Sequence, residues 1–81
     1  MSKRDKLIER FKRLPRDFEW IELTTMLGHL GYAEEQGDGS RICYIDGGNR
    51  KIFLHKPHPG NILKSYVMKQ VLEALREHGK I

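Results

Sequence analysis

Cysteine occurs once in the 81 residues, at Cys43. That single thiol excludes an intramolecular disulfide framework and cannot build a zinc cluster by itself. Proline is confined to Pro15, Pro57 and Pro59. No apolar run approaches the ~20 residues that a membrane-spanning helix needs, so no membrane partner is expected. The opening stretch, MSKRDKLIERFKR, is too charged to hold the apolar core of a secretory signal. A reducing, cytoplasmic setting is the expectation. Repeats and low-complexity linkers are also missing, which leaves one small domain over 1–81.

Charge is distributed unevenly. Between residues 17 and 40 there is no Lys or Arg at all, against six Asp or Glu. Residues 1–16 carry seven bases and two acids, and residues 41–81 carry eight bases and three acids. The total is +4, and the basic segments make a polyanion such as nucleic acid the natural partner to consider. A solvated basic surface is the plain alternative. With 38% hydrophobic and 32% charged residues, the composition is that of a globular chain.

Apolar periodicity orders the elements. Leu7, Ile8, Phe11 and Leu14 fall at helical spacing and Pro15 ends the pattern, giving a short basic helix over 1–15. Trp20, Leu23, Leu27 and Leu30 predict a second helix, capped by Asp17 and closed at Gly31. Glu19 and Glu22 suit the positive end of its dipole. Three strand-like stretches follow: an acidic, edge-like 32–36, then 40–46 and 50–55. Alternation sets Ile42 and Tyr44 on one face of the middle strand, with Arg41, Cys43 and Ile45 on the other. The DGGN turn joins the last two strands into an antiparallel hairpin. A final helix is expected from near Ser65 to His78, with Val67, Val71, Ala74 and Leu75 on one side and Gly79 at its end. The fold class is therefore α+β, a three-stranded antiparallel sheet with helices on one face. The first helix is an appendage to an otherwise complete α-β-β-β-α unit over 17–79.

Aromatic residues divide in two groups. Trp20, Phe11 and Phe53 are read as core, whereas Tyr44 and Tyr66 stay open between core and base-stacking roles. Lys3, Lys6, Arg10 and Arg13 on the first helix either extend a nucleic-acid surface or solvate the outside of a helix packed through Leu7, Ile8 and Phe11. His29 and His78 are poor candidates for chemistry. His78 suits the negative end of the last helix.

The stretches LGHLGY (27–32), GDGSR (37–41), GGNRKIFLHKPHPG (47–60) and the closing helix YVMKQVLEALREHG occur in an order that resembles the HicA family of bacterial toxin–antitoxin mRNA interferases. The resemblance spans about residues 18–79. It implies a fold like the double-stranded-RNA-binding domain, RNA as substrate without a need for translation, and neutralisation by a HicB-like antitoxin. Family members commonly read Gly-Ser-His at the start of the second strand, with that histidine catalytic. Here the sequence reads Gly39-Ser40-Arg41. Arginine stays protonated and cannot act as a general base, though it can grip a phosphate or a developing phosphorane.

RNA cleavage asks for a base, an acid and a cation. HKPHPG supplies two imidazoles, His55 and His58, with Lys56 between them, and histidine titrates in the range both proton roles need. His58 falls near the histidine that the family often carries after its third strand. The expected catalytic residues are therefore His58 and His55. The RNA-binding set is Arg41, Lys56, Ser40, Gly39, Arg50 and Lys51. In an antiparallel hairpin the start of one strand lies beside the end of the next, which would bring Arg41 to His55. The alternatives are structural: His55 closing a strand, His58 capping a loop or helix, and Arg41 pairing with Glu34 or Glu35. No metal or other cofactor is expected, because two imidazoles are too few ligands. On this basis the chain is a ribonuclease toxin, or else a non-catalytic RNA-binding or protein-interaction module on the same fold.

Overall fold

The computed structural model describes residues 2–37, 41–57 and 60–81. The element order is α1 (Lys3–Lys12), α2 (Trp20–His29), β1 (Ala33–Gln36), β2 (Arg41–Ile45), β3 (Lys51–His55) and α3 (Ser65–Glu77). This is the expected α+β arrangement, α-β-β-β-α preceded by one helix. The sheet runs β1-β2-β3 with both pairings antiparallel.

Each helix end has a local cause. Ser2 caps α1 by accepting from the Asp5 N–H at 3.2 Å. Asp17 does not cap α2. The N-cap is Glu19, whose own N–H is taken by the Glu22 carboxylate at 3.1 Å. Asp17 is drawn away to Arg10, which also reaches Glu22. α2 stops where Gly31 adopts φ +92, a conformation that other residues reach only at a cost.

One face of the sheet enters the core. Ile42, Tyr44, Ile52 and Leu54 pack with Trp20, Leu23 and Met26 of α2 and Met68, Val71 and Leu75 of α3. Met68 and Leu72, rather than the half-buried Val67 and Ala74, complete the buried stripe of α3. α1 shares this core. Phe11 is fully buried and its ring lies 5.3 Å from that of Phe18, while Ile8 is also buried. Tyr44 is buried and donates to the Glu34 carboxylate at 2.7 Å. Desolvation, then that hydrogen bond, pushes its hydroxyl well above the ordinary tyrosine range.

Two further ties fix the ends of the sheet. The DGGN turn forms as expected, with Asp46 accepting from the N–H groups of Gly48 and Arg50 at 3.0 and 2.8 Å. Lys80 closes on the same carboxylate at 3.2 Å, and Tyr32 Oη shares a 2.6 Å hydrogen bond with His78 Nδ1. The C-terminal residues are thereby fastened to the hairpin turn. At the other end, residues 61–63 pair with 18–20: Trp20 donates to the Asn61 carbonyl at 2.7 Å and Leu63 to the Phe18 carbonyl at 2.9 Å. No helix among the described residues is long and apolar enough to cross a membrane.

Candidate functional site

The outward face of the β2–β3 hairpin carries Arg41, Cys43 and Ile45 on one strand and Lys51, Phe53 and His55 on the other, as the two-residue period of a strand requires. In the register, Arg41 stands directly across from His55 and Cys43 across from Phe53. Side chains so paired lie on one face within ~4.5–5.5 Å at Cβ. The adjacency that the hairpin demanded is therefore present.

Phe53 is not a core residue. It is 44% exposed, because β3 alternates and its inward positions belong to Ile52 and Leu54. The Arg41 guanidinium lies over its ring, 4.2 Å from the centroid, as a cation–π contact. Among the described residues Arg41 has no carboxylate partner, and Glu34 is engaged by Tyr44 instead. Cys43 beside them is buried yet outside the main core.

Gly37 governs where Arg41 stands. Its N–H donates to the Arg41 carbonyl at 3.0 Å. A Cβ at position 37 would meet that carbonyl oxygen at 2.6 Å, closer than any side chain tolerates. The glycine before β2 is thus required by close approach of two backbones.

A groove of about 650 Å³ opens between this face, the free edge of β3 and the first turns of α3. Arg41, His55, Lys56 and Lys64 supply its charged and imidazole groups, and no Asp or Glu lines it among the described residues. Its apolar wall is made by Phe53, Ile62 and Tyr66, of which Ile62 is 45% and Tyr66 65% exposed. The pairing of residues 61–63 with 18–20 holds that wall in place. Cations without acids, set beside exposed rings, match a polyanion that carries flat apolar groups.

Of the sequence-derived site residues, Arg41, His55 and Lys56 come together here. Arg50 and Lys51 do not line the groove. They stand at the opposite end of β3, with Lys51 paired to Ile45 and Arg50 directed at Asp46 3.7 Å away. His58, Gly39 and Ser40 lie outside the described residues. Lys64 and Ile62 escaped the sequence reading, since both belong to an irregular connection with no periodic signal. Phe53 was legible in principle from the alternation of Lys51, Phe53 and His55. Among the described residues no three His, Cys, Asp or Glu side chains gather as a metal site.

Comparison with family models gives a match over residues 20–77 to the HicA toxin of bacterial toxin–antitoxin. The chain belongs to the HicA toxin family. The matched span takes in α2, the whole sheet and α3, and leaves α1 outside it. No curated protein and no solved structure matches the chain. As a HicA-family toxin it has an antitoxin as its counterpart. Within this HicA chain the groove lies entirely inside the matched span, whereas the buried Phe11 of α1 is an addition to the family unit.

Proposed function

We infer that this HicA-family toxin binds and cleaves RNA as an mRNA interferase. The observation that supports this most directly is the juxtaposition of Arg41 and His55 at the mouth of a groove that carries cations and no acid. His55 is one candidate for the proton-transfer group, and His58, three residues further on, is the other. Arg41 and Lys56 hold the scissile phosphate and offset the charge that grows on the phosphorane. Gly39 and Ser40 join the same RNA-binding set on the sequence alone, and Lys51 and Arg50 continue the phosphate path along the hairpin. A HicB-like antitoxin neutralises the toxin by covering this face, through an acidic docking surface of its own.

A second reading has one observation in its favour. The position at the start of β2 holds an arginine, which cannot serve as a base, and that arginine lies over the Phe53 ring. On this reading the domain binds RNA without cutting it.

Induced expression of the wild type beside His55→Ala, His58→Ala and Arg41→Ala separates the two, scored by growth and total mRNA decay. Arrest with mRNA loss that one histidine variant abolishes assigns the base. Normal growth and intact mRNA with folded protein count against cleavage and favour a non-catalytic module.

A further inference from the structure

The contact between Arg41 and Phe53 gives the groove an unusual floor. A guanidinium is planar and delocalised, and it stacks on rings from either side. The Arg41 guanidinium carbon lies over the Phe53 ring, 4.2 Å from its centroid, and the residue is exposed and lines the groove, so its planar group is open to a ligand. The two side chains sit on the diagonal of an antiparallel pair, and Gly37 fixes the backbone beneath the arginine. The platform is held in place before any ligand arrives. Lys56 and Lys64 line the same groove, and Tyr66 is largely exposed on its wall.

The geometry points to a seat for one unpaired nucleotide of RNA, its base stacked on the face of the Arg41 guanidinium and its phosphate shared between the edge of that guanidinium, Lys56 and Lys64. This rests on the RNA-binding reading above and narrows it. Base stacking on arginine or aromatic planes needs an exposed base face, which a duplex hides within its own stack. A duplex is recognised instead by shape and by phosphates across its minor groove. A groove of about 650 Å³ with apolar walls is of the size that takes a small planar ligand. The same volume gives a shape-reading surface no advantage.

The test uses the full chain and a short 2′-O-methyl oligonucleotide, resistant to cleavage, with 2-aminopurine at its centre, offered single-stranded and as a duplex. Wild type is expected to prefer the single strand and to change the 2-aminopurine emission as the base leaves its neighbours for the seat. Arg41→Lys keeps the charge and removes the plane. It is expected to lower single-strand affinity roughly tenfold and to abolish the emission change, with the salt dependence kept because the charge is kept. Phe53→Leu removes the backing ring and is expected to cost roughly two- to fivefold in single-strand affinity.

If Arg41→Lys binds and changes the emission as wild type does, the stacking seat is wrong while RNA binding stands. Equal wild-type affinity for duplex and single strand without an emission change overturns it in the same way. Failure of wild type to bind either form removes the RNA reading itself, and the seat with it.

Discussion

The Arg41 guanidinium lies 4.2 Å from the centre of the Phe53 ring, on the face of the sheet turned away from the helices. Two side chains that strand alternation sends outward thereby form one composite surface, part cationic and part aromatic. Its position directly beside His55 ties the local pairing of β2 and β3 to whatever chemistry the groove performs.

Phe53 and Phe18 are expected to behave oppositely when truncated. Phe18 is fully buried, so Phe18→Ala should cost about 3–5 kcal/mol in urea denaturation. Phe53→Ala, at a position 44% exposed, should cost no more than about 1 kcal/mol and act on ligand binding instead. A large stability loss at Phe53 would return it to the core.

Gly37→Ala should shift the start of β2. The added methyl meets the Arg41 carbonyl, so the backbone must move and carry Arg41 out of register with His55. A stability loss of about 0.5–3 kcal/mol is expected, together with weaker oligonucleotide binding. Amide chemical shifts of Arg41 and His55 would report the displacement directly.

Phe11→Ala tests whether α1 is part of the fold. Phe11 is fully buried in the common core, so about 3–5 kcal/mol should be lost, a large part of the ~5–15 kcal/mol typical of a domain. Lys6→Gln, exposed on the same helix, should change stability by less than about 0.5 kcal/mol. An unchanged melting temperature for Phe11→Ala would show that α1 is dispensable to the core.

Asp46 makes stability depend on acid. The Arg50 backbone N–H, aided by Lys80, holds its carboxyl below the ordinary carboxylate range despite burial. The unfolded chain then takes up the proton more readily than the folded one, so stability rises with pH through this range. The contribution of Asp46 is complete above the unfolded value, about 3.9, and is lost as pH falls through the folded value beneath it. Urea midpoints measured across acid pH should fall steeply in wild type and less steeply in Asp46→Asn, which starts lower near neutrality.

The order of elements is legible in the chain itself, because three signals are local and periodic. Apolar spacing marked the three helices, alternation marked β2 and β3, and DGGN marked the turn between them. The register that brings Arg41 to His55 followed from the hairpin alone, since a short turn leaves few ways to pair two strands. What tertiary structure decided was everything set by contacts distant in sequence. Arg10 took Asp17 from its expected cap, and Phe11 joined α1 to the core. Residues 61–63, with no periodicity to betray them, paired with 18–20 and made a wall of the groove. Phe53, read as core by its hydrophobicity, was turned outward because only one face of this sheet has helices to bury it, and there Arg41 covers it.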